Sequence, residues 1–164
     1  MNALPEVLAG RTLAVAESVT CGGLQRQIGR ISGASAFFLG GLTAYAIEQK
    51  VRHLGVDGAA ARAVNAVSPE VAAQMARGIC ALFGSEIGLA TTGYAEPNPA
   101  WRVAEPFAYW AVARRGAPPQ SGAVVVGVGR IDCPGCPRAQ AQDRIVEETL
   151  QALIAIMRTL DPGP

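Results

Sequence analysis

Apolar positions along the chain alternate between short continuous runs and stretches of helical period. Residues 12–18, TLAVAES, form a short continuous apolar run that reads as a buried strand. Gly22 and Gly23 then open LQRQIGRI, in which Leu24, Ile28 and Ile31 recur at helical spacing. SGASAFF is a turn region, and FLGGLTAYA (38–46) is strand-like, its two glycines marking a bulge or a closely approached backbone. IEQKVRHLGV reads as a short helix that ends at Gly55, a C-cap.

The clearest helix covers 68–84. Ser68 is its N-cap, Pro69 its first helical residue, Glu70 complements the dipole, and Gly84 stops it. IGLATTG (87–93) is a further buried strand, and a proline-rich loop follows over 96–106. Strands at 107–115 and 122–130 are joined by GAPPQS, a connection short enough for an antiparallel pair. DCPGCP is a tight loop, a long final helix spans 138–160, and DPGP is a frayed tail. Strands separated by helices predict one layered α/β domain over 1–164 with a mixed sheet and no internal repeat.

Composition narrows the partners. The 164 residues are 50% hydrophobic and 16% charged, with a formal net charge of +1 and no block of like charge. Lys50 is the single lysine, so no basic footprint for nucleic acid exists. No apolar run approaches the roughly 18 residues of a membrane helix. The N-terminal stretch lacks a basic segment followed by an apolar one, and the expectation is a cytoplasmic protein with reduced cysteines.

Ligands in open α/β sheets sit beyond the carboxyl ends of strands. Here those ends carry AESVTCGG (16–23), ATTGYAEP (90–97) and LTAYAIEQK (42–50). The first loop runs into a helix N-terminus, where unpaired amides attract an anion or an oxyanion. Its glycines permit close approach, and Thr20 adds a hydroxyl. The same pattern also fits a capped strand-to-helix turn in which Ser18 and Thr20 satisfy backbone groups. Lys50 is either a desolvated base for a serine or a solvated surface lysine. His53, the sole histidine, lies beside Arg52 and is expected to be exposed. Cys133 and Cys136 form CPGC, either a redox or metal pair or two incidental thiols, since zinc needs four ligands. Cys80 falls on the apolar face of the 68–84 helix and reads as core, while Cys21 sits at a helix N-terminus, where a thiol pKa can be lowered.

Together these segments resemble the CinA C-terminal domain family. LAVAESVTCGGL resembles its AESCTGG signature, and FFLGGLTAYAIEQKVRHLGV its F.GG..AY.NE.K...LGV block. NAVSPEVAAQMARG, IGLATTGYAEP and GCPRAQAQDRIVEETLQAL are similar to later segments, in the same order, from about Leu8 to about Leu160. The resemblance implies a three-layer α/β/α sandwich with a mixed, mostly parallel sheet, and a homo-oligomer, dimer or larger. It implies an amidase that hydrolyses nicotinamide mononucleotide to the nicotinic acid nucleotide and ammonia, with no metal and no organic cofactor. The alternative is a CinA-like protein that has lost this activity or taken another ligand.

Carried over position by position, Ser18 is the nucleophile, with Lys50 or Tyr45 accepting its proton. Glu17, Thr20, Gly22, Gly23, Thr92, Gly93 and Arg138 contact the nucleotide. Departures concentrate around the substrate loop. Cys21 replaces the first glycine of the signature, and Ala46 and Ile47 replace polar residues. Glu96 stands where a glycine is expected, Trp101 is bulky, and Glu105, Ala108 and Tyr109 replace lysine, glycine and threonine. Glu96 and Glu105 are expected to repel a phosphate.

Overall fold

The computed structural model describes residues 3–116 and 122–160. The GAPPQS connection, from residue 117, and the DPGP tail lie outside the described residues. The elements run α1 (Leu4–Leu8), β1 (Leu13–Glu17), α2 (Gly23–Gly29), β2 (Phe38–Thr43), α3 (Ile47–Leu54), α4 (Gly58–Ala63), α5 (Pro69–Phe83), β3 (Ile87–Tyr94), β4 (Phe107–Arg115), β5 (Ala123–Asp132) and α6 (Arg138–Leu160).

Strand order in the sheet is β2-β1-β3-β4-β5. β1 pairs parallel with both β2 and β3. β4 runs antiparallel to β3 and to β5. Four strands therefore point one way and β4 alone opposes them, as expected of a mixed, mostly parallel sheet. Alternation along β1 separates the two helical layers. Leu13 and Val15 face a cluster with Leu4 and Leu8 of α1, Leu24 and Ile28 of α2, and Leu150 and Leu153 of α6. Ala14 and Ala16 face the other side, with Leu54 of α3, Ala61 of α4, and Met75, Ala76 and Ile79 of α5.

The two faces differ in side-chain size. On the α5 side the sheet presents Ala14, Ala16, Ala90, Ala111 and Ala113. So flat a surface lets α5 lie close, and α5 in turn carries Gly78, where an added Cβ would overlap the Leu54 carbonyl of α3. This close approach fixes where α3 sits, and α3 carries Lys50.

Local signals hold where they are strong. Ser68 Oγ accepts the Val71 amide, and Gly55 and Gly84 close their helices with φ of 65° and 69°. The register of β1 and β2 shifts beside the expected glycine pair, and an added Cβ at Gly41 would collide with Val15. β2 stops at Thr43, short of the expected residue 46. Beyond it, the Tyr45 carbonyl accepts the Lys50 ammonium, and the chain leaves the sheet for α3. The expected loop over 96–106 contains a 3-10 turn at Pro99–Trp101, closed by a bridge between Asn98 and Val103. Two short helices were not foreseen: α1, and α4, which is all Ala, Gly and Arg and is nucleated by Asp57 accepting the Ala59 and Ala60 amides.

Glycine substitutions test the close packing. Gly78→Ala is expected to destabilise by about 1–3 kcal/mol, because backbone must move. At Gly29 nothing lies within 4 Å of a built Cβ, and Gly29→Ala is expected to stabilise by up to about 1 kcal/mol. Urea midpoints of the two variants should fall on opposite sides of the parent's.

Candidate active site

β1 delivers two adjacent polar residues to opposite faces. Glu17 continues the Leu13–Val15 side and emerges beneath α2. Its carboxylate accepts the amides of Gly22 (3.0 Å), Leu24 (3.0 Å) and Gln25 (2.9 Å) and the Thr20 hydroxyl (2.6 Å). Thr20 Oγ1 is also 2.8 Å from Thr91 Oγ1. Glu17 is fully buried. A buried carboxylate on a helix N-terminus is stabilised by the dipole and by charge-assisted hydrogen bonds.

This arrangement corrects the expected role of the loop. The α2 amides are taken by Glu17, and the Gly23 amide donates to the Thr20 carbonyl, so none of these awaits a ligand. Gly22 supplies the left-handed N-cap at φ 95°. Gly23 faces α6, where a Cβ would lie 2.7 Å from Val146 Cγ2. Glu17, Thr20, Gly22 and Gly23 therefore support the site from below rather than line it. Among the described residues, the amides of this loop without an internal acceptor are those of Val19 and Thr20, which the sequence pattern did not single out.

Ser18 lies on the opposite face, held by its amide bond to the Thr91 carbonyl. Lys50, from α3, is 2% exposed. Its ammonium donates to Ser18 Oγ at 2.9 Å and to the Tyr45 carbonyl at 2.9 Å. No carboxylate among the described residues forms an ion pair with it. Burial without a counter-charge lowers the Lys50 pKa to about 8. About a tenth of the molecules then carry a neutral amine at pH 7, a usable supply of base.

Ser18 and Lys50 sit at the end of a cavity of about 400 Å³. Tyr45 stands at its rim, 57% exposed, with its hydroxyl accepting from Arg138 at 3.1 Å. Of Tyr45, the carbonyl touches the lysine and the phenol belongs to the mouth; Lys50 is the group beside the serine. Arg138 also binds Glu96 at 2.6 Å. Thr92 lines the wall, but its hydroxyl donates to the Ala66 carbonyl at 2.6 Å. That bond holds Asn65 and Ala66, both left-handed at φ 51° and 55°. Asn65 in turn donates to the Tyr94 hydroxyl at 3.0 Å. Gly93 admits β4, since a Cβ there would overlap the Phe107 carbonyl.

Other expectations resolve by position. Glu105 accepts the Gly135 amide at 2.8 Å and does not line the cavity, so of the two acids only Glu96 is at the mouth. His53 is exposed, 3.1 Å from Gln49. Cys80 is core. Cys21 is exposed and left-handed, with φ 47°. Cys133 is fully buried and Cys136 half-buried, with both thiols free. Burial pushes the Cys133 thiol up, away from a reactive thiolate. Among the described residues no three His, Cys, Asp or Glu form a metal-holding group, and no helix is long and apolar enough to cross a membrane.

Fold and site thus define an α/β/α protein with a buried serine–lysine pair beyond the carboxyl ends of its parallel strands. The chain belongs to the CinA C-terminal domain family, whose model matches residues 6–157. It is 50% identical over 94 residues to a putative competence-damage inducible protein of Moorella thermoacetica, covering 56% of this chain and 23% of that protein. A CinA-like protein of Frankia casuarinae is 50% identical over 88 residues, covering 54% and 20%. The matches span only about a fifth to a quarter of these relatives. Among solved structures, a CinA superfamily protein from Klebsiella pneumoniae 700603 superposes with TM-score 0.82 at 23% identity, over 96% of this chain and 94% of that one. The competence/damage inducible protein CihA from Agrobacterium tumefaciens gives 0.76 at 26% identity, over 93% and 88%.

Two substitutions separate the supporting carboxylate from the lysine. Glu17→Ala strands three amides and is expected to destabilise by about 3 kcal/mol or more, measured by chemical denaturation. Lys50→Met removes a buried charge and is expected to stabilise at pH 7 by about 1–2 kcal/mol, the lost bond to the Tyr45 carbonyl offsetting part of the gain. Below pH 8 the burial penalty is fully present. Between about pH 8 and 10.5 the unfolded lysine binds more protons than the folded one, so the parent gains stability as pH rises. The advantage of the Met variant should shrink across that window; a constant difference would contradict the assigned cause.

Proposed function

We propose that this CinA-family chain is a serine–lysine amidase that hydrolyses the carboxamide C–N bond of a pyridine nucleotide-type ligand and releases ammonia. Nicotinamide mononucleotide is the reference substrate suggested by the family resemblance. The observation that carries this reading is the 2.9 Å contact between Lys50 Nζ and Ser18 Oγ, made by a lysine 2% exposed.

In the first half-reaction the neutral Lys50 amine takes the Ser18 hydroxyl proton while Oγ attacks the carboxamide carbon. The carbonyl oxygen becomes an oxyanion, and the amide of Val19, which lines the cavity next to the attacking residue, is the donor for it. Collapse breaks the C–N bond, and the Lys50 proton passes to the departing nitrogen, which leaves as ammonia. An acyl ester on Ser18 remains. Water then attacks it, Lys50 takes the water proton and returns one to Oγ, and the carboxylic acid leaves. No redox or metal step is involved. Burial matters here because a solvated lysine, with a pKa near 10.4, would be almost wholly protonated and unable to serve as base.

A second reading is supported by the four donors already taken by Glu17 and by the Arg138–Glu96 pair, which together leave fewer free groups for an anionic substrate. In that reading the chain binds a ligand without turning it over.

Incubation with nicotinamide mononucleotide and mass detection of the deamidated product separates the two. Ser18→Ala is expected to reduce turnover by about 10³-fold or more, with folding retained. For the parent, kcat/KM should rise with pH up to the Lys50 value of about 8 and then level. Product at background for the parent enzyme, with a ligand-induced rise in Tm, would replace the amidase reading on this substrate by the binding one.

A further inference from the structure

Three ionic side chains line the cavity: Lys50, Arg138 and Glu96. Lys50 is buried at the closed end and is occupied by Ser18 and the Tyr45 carbonyl. Arg138 is therefore the cation at the mouth, and two of its nitrogens are already engaged, by Glu96 and by the Tyr45 hydroxyl. The α2 N-terminus, the other expected anion site, is filled by Glu17. The first turn of α3 also reaches the cavity through Ala46 and Ile47, but Glu48 on that turn does not line it and pairs with Arg62 at 3.7 Å. A phosphate dianion entering this mouth would compete with one carboxylate for one guanidinium.

From this charge balance we propose that the site selects carboxamide ligands without a phosphate, of the pyridinium riboside type, and that Glu96 is the specificity-determining residue. The proposal rests on the amidase reading for its chemistry and adds the substrate class. The riboside and its nucleotide both carry the pyridinium charge, so the phosphate alone separates them at Glu96. The corresponding nucleotide carries a dianion that Glu96 repels and for which Arg138 is already neutralised. Arg138 and Glu96 are 45% and 60% exposed, so water and salt screen the effect. A discrimination of about tenfold at low salt is the expected scale for one exposed charge acting on a dianion at a few ångströms. Because it is electrostatic, it should fade as ionic strength rises.

The test compares nicotinamide riboside with nicotinamide mononucleotide on the purified chain at low and high salt. The parent is expected to show higher kcat/KM for the riboside at low salt, with the ratio falling toward unity in high salt. Glu96→Gln is expected to shift the nucleotide-to-riboside ratio about tenfold toward the nucleotide, with Tm checked to confirm folding. A parent that does not prefer the riboside at low salt, or a ratio that Glu96→Gln leaves unchanged, would overturn the proposal while leaving the amidase reading intact. Turnover of neither ligand would instead remove the amidase reading. Calorimetric titration of the same two ligands then decides the selectivity by itself. Tighter binding of the riboside supports it, whereas tighter binding of the nucleotide, or binding of neither at millimolar concentration, overturns it.

Discussion

A carboxylate buried under a helix holds the rest of this site in place. Glu17 takes four hydrogen bonds from the turn and helix that follow it, three of them from backbone amides, those of Gly22, Leu24 and Gln25. The turn between β1 and α2 therefore has one conformation, and Ser18, the first residue of that turn, inherits it. Placing the charge inside would be prohibitive without these donors. With them, the same residue satisfies the helix end and fixes the serine on the opposite face of the strand. An anion site and a nucleophile compete for the same few residues here, and the protein assigns the helix amides to structure.

The second half of the pair comes from packing. Lys50 reaches Ser18 because α3 is pressed against α5, and α5 against an alanine-lined sheet, with Gly78 permitting the closest approach. A side of the core built from larger residues would lift α3 and separate the amine from the hydroxyl. Burial that results from this packing is also what lowers the lysine pKa. Chemical competence and core composition are thus linked: small side chains on one face of the sheet are the means by which a lysine is brought out of water.

At the mouth, constraints are looser and the ligand-facing groups are bound to one another. Arg138, Glu96 and Tyr45 form an exposed network, whereas Asn65 and Ala66 are held in left-handed backbone by Thr92 and Tyr94. Asn65 tolerates this conformation through its short polar side chain. Ala66 does not favour it, and the buried Thr92 bond compensates.

Much of this was legible in one dimension. Short continuous apolar runs, a period of 3.6, proline and serine at the start of α5, and glycine after α3 and α5 are local signals, and they located the five strands and the longer helices within a few residues. Ser18, Lys50 and Thr92 stood out as chemistry at strand ends and Arg138 through the family resemblance, and tertiary contacts bring them to one cavity. What remained hidden depends on partners far along the chain. Whether the α2 amides were free depended on which face of β1 carried Glu17. Whether Lys50 was solvated depended on how closely α3 could approach the sheet. Glu96 and Glu105, nine residues apart and alike in type, part company because one meets Arg138 and the other the Gly135 amide. Residue order and hydrophobic period determine elements and their sequence; only the folded arrangement decides which polar groups find each other, because a hydrogen bond is a property of two positions and not of one.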